Sequence, residues 1–170
     1  MAHSYIGYNT IGGTTENAVN RKVYTKKVTL ASDGFICSIG VYADGGQTND
    51  TVAAWRSAVY DDTAGTPNRL VAIYEGASTS TLLDDTSGAG GNTDPRWLHM
   101  PIMYFATAGD YWLSVQPLNG GGAADRLYYD ATGSDRFYTS GGDWMADWGW
   151  YAPTTSANQY SIRASFLTLA

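Results

Sequence analysis

The amino-acid sequence predicts an all-β protein, an antiparallel β-sandwich of jelly-roll type, and three observations carry that expectation. First, residues 52–76 read VAAWRSAVYDDTAGTPNRLVAIYEG, with two apolar, β-prone ends flanking a middle of Asp, Thr, Gly and Pro. Asp bonds its own backbone, Gly supplies positive φ and Pro fixes φ, so neither strand continues through that middle. The segment therefore reads as two strands joined by an ordered loop from Asp61 to Pro67. Second, the rest of the chain repeats this grammar, and no segment holds a 3.6-residue apolar period with caps at both ends. Third, 20 Gly stand beside 6 Trp, 13 Tyr and 4 Phe with only 15% charged residues, the composition of a loop-rich, aromatic β protein. A closed barrel of the same strand number is the alternative architecture.

At 170 residues one domain is expected, large enough to bury about 70% of its unfolded surface without disulfide staples. Residues 1–22 read as a short N-terminal arm, in which 4–9 are a short strand or an extended tail and Gly12-Gly13-Thr14-Thr15 is flexible; residues 23–170 form the single sandwich domain. The stretch 23–30 (VYTKKVTL) is the first clear strand, with Lys26 and Lys27 marking a sheet edge or a solvent face. After the Asp33-Gly34 turn, 35–43 is a strand with Ile39 and Val41 on one face. Strands 52–60 and 69–74 follow a polar loop, and 76–94 is too long and too polar for a hairpin turn, so it reads as a surface excursion. Residues 97–105 and 110–116 are strands, 126–130 and 136–138 are short strands, and 160–169 closes the chain with Ile162, Ala164, Phe166 and Thr168 on one face and Ser161, Arg163, Ser165 and Leu167 on the other. Trp55, Trp97 and Trp112 fall in strands and are expected to be core or half-buried. Alternation makes Trp112 buried and puts Tyr111 on the opposite face.

The charge of −6, with only 10 Lys plus Arg, leaves no basic footprint for a phosphate backbone, so nucleic acid is not an expected partner. No apolar run approaches a membrane span, and the first 22 residues lack a charged region followed by an apolar run, so neither a membrane nor Sec export is expected. The lone Cys37, beside Phe35, Ile36 and Ile39, has no bridge partner and reads as a small buried hydrophobe.

The run AVYDD-x2-G-x-P-x2-LVAIYEG at 58–76, Trp97 ahead of Pro101, and AGDYWLSVQ at 108–116 resemble a recurring β-sandwich domain of bacterial surface proteins and phage virion proteins. In that group a strand ending in Tyr leads into a Gly-x-Pro loop and a Leu-rich strand, and a later strand crosses the core. The resemblance covers roughly residues 28–116. Asp110 departs from a common Thr, and 79–94 is an insertion. It implies a jelly roll used as an adhesive or decorating module, and it brings no catalytic residues.

Chemistry is marked mainly by absences. Two histidines, His3 and His99, leave little freedom for a Ser-His-Asp arrangement or a His metal cluster, and His99 reads as a strand residue facing polar neighbours. No phosphate loop, dinucleotide fingerprint or nucleophile elbow occurs, so no enzyme and no cofactor are expected. The adjacent acids Asp61-Asp62 and Asp84-Asp85 read as turn formers rather than a glycosidase pair. Asp44, Asn49 and Asp50, or Asp84, Asp85 and Asp94, supply oxygens of the kind Ca²⁺ takes, but no EF-hand spacing, and no metal is assigned.

The candidate binding residues lie in 141–151 (GGDWMADWGWY): Trp144, Trp148, Trp150 and Tyr151, with Asp143 and Asp147 beside them. Apolar rings next to acceptors stack on a sugar and bond its hydroxyls, or dock into a protein, or fold back as a lid on the sandwich. Tyr128, Tyr129 and Tyr138 extend the same surface. Two functions fit these features. One is a structural virion protein of a bacteriophage, a capsid decoration or tail-associated subunit, located in the virion. Such a subunit contacts other virion proteins as a homo-oligomer, with a trimer as one form, and adheres to surface glycan. The other is a carbohydrate-binding module or adhesin using the aromatic loop. The first is preferred, because three neighbouring exposed indoles form a patch that soluble proteins seldom leave uncovered.

Overall fold

Along residues 162–168 the buried Ile162, Ala164 and Phe166 alternate with the half-buried Arg163, Ser165 and Leu167, as a strand with one face on a core requires. The computed structural model describes residues 1–17, 22–44, 55–74, 95–117, 126–133, 135–139 and 154–169. Among these residues there are thirteen strands and no helix. In chain order they are β1 (Ala2–Gly7), β2 (Thr14–Asn17), β3 (Lys22–Leu30), β4 (Gly34–Asp44), β5 (Trp55–Thr63), β6 (Thr66–Tyr74) and β7 (Arg96–Ala106). They continue as β8 (Gly109–Pro117), β9 (Arg126–Asp130), β10 (Arg136–Thr139), β11 (Thr154–Thr155), β12 (Gln159–Tyr160) and β13 (Ile162–Thr168).

Two antiparallel sheets pack face to face as a β-sandwich. The seven-stranded sheet runs β1-β13-β4-β9-β12, with β7 also paired to β4 and β2 to β9; the six-stranded sheet runs β11-β10-β3-β8-β5-β6. Two prolines sit where a missing amide does little harm. Among the described residues, Pro101 lies in β7, which pairs only with β4, and Pro67 lies in β6, which pairs only with β5.

The core between the sheets is built from Tyr24 and Val28 of β3, Ile39 and Val41 of β4, Trp55 and Val59 of β5, Met100 of β7, and Leu113 and Val115 of β8. Full burial of each aliphatic side chain is worth about 1.5–3 kcal/mol. Trp112 is buried and Tyr111 points to the opposite face, as alternation requires, but it is Tyr111 that faces the inter-sheet core. Trp112 joins a second cluster with Val23, Ala58 and Tyr60, against which Leu70 and Ile73 pack. Strand β8 is therefore buried on both faces from Tyr111 to Pro117.

Five expectations change. Residues 1–22 are expected as an arm, yet β1 pairs with β13 in register from Ala2↔Thr168 to Gly7↔Arg163, and β2 pairs with β9. The backbone groups of β13 would otherwise stand unpaired on that edge, and pairing satisfies them. Gly12, expected to be flexible, is instead a close approach. A Cβ there would lie 2.2 Å from the backbone carbon of Tyr129, while its amide donates to Ser161 Oγ at 3.0 Å.

The loop expected over 61–67 shrinks to Ala64-Gly65, at φ 53° and 78°, the two positive values a type I′ hairpin turn needs. Asp61 and Asp62 thus become strand residues. Asp62 Oδ2 accepts from the Gly65 amide at 3.0 Å and Asp61 Oδ1 from the Arg69 amide at 2.7 Å. Ala64 carries a Cβ where glycine fits better, at a cost of about 1–2 kcal/mol, against the extra chain entropy glycine loses on folding. Ala64→Gly is expected to stabilise the fold by about 0.5–1 kcal/mol, read as a higher urea midpoint at unchanged slope.

Cys37 is half-buried rather than buried. It falls at a bulge: the pairing of β4 with β7 shifts between Ile36 and Ser38, and β13 likewise skips it. Lys26 does not mark an edge or solvent face. It shares the inner face of β3 with Tyr24 and Val28, and its ammonium is paired with Asp135 at 2.8 Å.

Candidate functional site

The outer face of the seven-stranded sheet gathers rings around one arginine. The register aligns His99 of β7, Gly40 of β4, Arg163 of β13 and Gly7 of β1 in one cross-strand row. Beside Arg163, Gly40 leaves room above the sheet. A Cβ at Gly40 would lie 3.1 Å from the His99 ring and 3.4 Å from the Trp97 ring, so the missing side chain is what lets both rings close over β4.

Into that room the Arg163 guanidinium extends, its Cζ 3.8 Å from the Trp97 ring centre and 4.2 Å from that of Tyr5, within cation–π range of both. One of its terminal nitrogens donates to Asn9 Oδ1 and the other lies 3.3 Å from His99 Nε2. Arginine has no acceptor, so His99 Nε2 accepts, and the imidazole proton resides on Nδ1, which faces Ser38 Oγ at 3.5 Å. Tyr42 packs edge-on against Trp97 and against Tyr128 at ring separations of 5.5 and 5.1 Å. Tyr5 is 46% exposed. Further along the same face, Phe35 and Phe105 meet edge to face, and Met103 is 74% exposed.

No protein-family model, curated protein or solved structure matches this chain.

The electrostatics of the face follow from this packing. Burial, and then the Arg163 charge, hold His99 below its ordinary value of 6.5, so the imidazole is neutral at pH 7. Its stabilising contribution is present above 6.5 and is lost as pH falls through the lower folded value. An NMR titration of the His99 ring is expected to show that lowered value, and Arg163→Gln is expected to raise it. An unchanged value in the variant would remove the contact.

A second polar cluster lies at one end of the sandwich. A cleft of about 470 Å³ is lined by Lys26, Ala131, Thr132, Gly133, Ala157 and Gln159. Beneath it Asp135 accepts from Lys26 Nζ and, at 2.7 Å, from the Tyr160 amide, while its backbone bonds Asn158 O and Ser156 N. Burial outweighs Lys26 and raises the Asp135 carboxyl. The bonds to Tyr160, Asn158 and Ser156 tie the chain before β10 to the chain before β13, and Lys26 adds β3 to the clasp.

The sequence-predicted aromatic site, Trp144, Trp148, Trp150, Tyr151, Asp143 and Asp147, lies outside the described residues. So do Asn49, Asp50, Asp84, Asp85 and Asp94 and the side chains of Asp44 and Tyr138. Tyr128 joins the outer face through Tyr42, whereas Tyr129 points inward to Tyr160. Sequence reasoning missed Arg163 and Tyr5. Alternation in 160–169 does place Arg163 on the outer face, but nothing local to either residue says that the arm lies beside β13.

Proposed function

We propose that this chain is a non-catalytic contact module, used as a structural subunit of a bacteriophage particle, a capsid decoration or a tail-associated protein. The jelly-roll winding and the kinship to surface and virion domains implied by the sequence resemblance belong to the same proposal. The observation that carries it is the outer face of the seven-stranded sheet, where Tyr5, Phe105 and Met103 stand 46%, 45% and 74% exposed beside Trp97, Tyr42 and Phe35. Apolar side chains exposed together on one sheet face mark a place of contact. Self-association of such a module into a closed oligomer would multiply weak contacts.

Density-gradient purification of the particles tests the reading. The chain is expected to band with them at fixed stoichiometry, and Met103→Asp with Phe105→Asp is expected to lower its occupancy while the purified variant stays folded. Absence of the chain from the particles would overturn it. The second reading, a carbohydrate-binding module, is favoured by one specific observation, the Arg163 guanidinium held over two rings.

A further inference from the structure

Arg163 is half-buried, and its Nε is closed off from solvent with no hydrogen-bond partner, so its terminal nitrogens are the ones that meet neighbours. Two of its five N–H groups are directed at neutral acceptors, Asn9 and His99, and it makes no ion pair among the described residues. No described carboxylate is left to serve it. They are engaged elsewhere, with Lys22, Lys26, Lys27, Arg69, the Tyr8 hydroxyl and the Ala108 amide. A partly desolvated guanidinium that meets no counter-ion among the described residues suits an anion, and its planar fork matches a carboxylate in two parallel hydrogen bonds.

The surroundings narrow the anion to a class. The patch offers aromatic rings, the hydroxyls of Ser38 and Ser165, and one permanent cation. A single cation does not suit a polyphosphate backbone, whose capture takes many. A polyacidic peptide would bring several charges onto that one cation against a protein of net charge −6. A sugar bearing one carboxylate brings a single charge, hydroxyls for the serines, and an apolar ring face for an exposed tyrosine.

We propose that the patch of Tyr5, Trp97, His99 and Arg163 binds a carboxylated sugar of a surface glycan, a uronic or sialic acid, with its carboxylate on the Arg163 guanidinium and its ring against Tyr5. This rests on the reading of that face as a contact surface. Gly40 is a positioning residue here, since it admits His99 and Trp97 to the sheet beside Arg163.

Calorimetry on the intact chain at low salt tests it, with tetragalacturonate and sialyllactose as probes and methyl-esterified tetragalacturonate, lactose and a glutamate pentapeptide as controls. Saturable binding of at least one acidic sugar is expected, weakened about tenfold or more by removing its charge or by Arg163→Gln. Arg163→Lys, which keeps the charge and loses the fork, is expected to fall between. Tyr5→Ala changes only an exposed side chain on an edge strand, so it decides the matter even where an Arg163 variant fails to fold, with an expected loss of about threefold to tenfold. Equal binding of the neutral sugars, or of the pentapeptide, would overturn the acidic-sugar class and leave the contact face standing. Binding of neither acidic sugar would overturn it as well, while particle occupancy judges the broader reading on its own.

Discussion

Asp135→Ala is expected to destabilise the protein by about 3–5 kcal/mol, a large part of the 5–15 kcal/mol that holds a typical domain together. The carboxylate is 3% exposed and the Lys26 side chain 15% exposed, so removing the acid strands an ammonium on the inner face of β3. It also leaves the Tyr160 amide without its acceptor, in a strand whose own side chain is fully buried. Urea unfolding of the variant checks the magnitude, and a cost below 1 kcal/mol would mean that Lys26 escapes to water.

The same pair has a pH signature whose sign is fixed. The Asp135 carboxyl is raised above 3.8, first by burial, so its contribution is full below 3.8 and declines as pH rises through the folded value. Lys26→Met removes the opposing cation and raises the carboxyl further, so that variant is expected to suffer least in acid and progressively more as pH climbs. A destabilisation that does not vary with pH would show that Asp135 is not the titrating group.

Trp112→Ala is expected to cost about 3–5 kcal/mol, through both packing and polar terms. The indole is 2% exposed in the outer cluster, and its Nε1 donates to Asp62 Oδ1 at 2.7 Å. That carboxylate also takes Lys27 at 3.2 Å, and Lys27 bridges to Asp110 at 2.8 Å. Burial pulls Asp62 upward, but the Gly65 amide, the Trp112 indole and Lys27 together hold it below 3.8. Its contribution is therefore present above 3.8 and lost as pH falls through the lower folded value, opposite in slope to Asp135. Trp112→Phe, which removes the donor and keeps most of the ring, is expected to lose part of this acid sensitivity. Unfolding curves at several pH values separate the two carboxylates by that slope.

The strands were legible in the sequence because alternation and turn chemistry are local. Residues 126–130 and 162–168 are fixed by nearest neighbours, and the turn before Gly65 by Asp62, three residues away. Local chemistry misjudged extent where a tight turn replaced a loop, since the positive φ of Ala64 is not announced by alanine. It misjudged the arm because the exposed pattern of β1, with only Ile6 partly buried, carries almost no apolar signal. What holds β1 in place is hydrogen bonding to β13, whose sequence lies at the other end of the chain.

By itself, then, the sequence determined an all-β chain of short aromatic strands without a legible catalytic motif, because those properties follow from side-chain period and residue type. Tertiary structure alone decided which face of a doubly apolar strand meets the other sheet. In β8 both Tyr111 and Trp112 are buried, and only the position of the sheets distinguishes them. It alone decided that Lys26 meets Asp135 inside and that Arg163 meets Trp97 and Tyr5 outside. These encounters depend on strand order and register, which place residues from distant segments within a few ångströms, and short-range pattern holds no record of that distance.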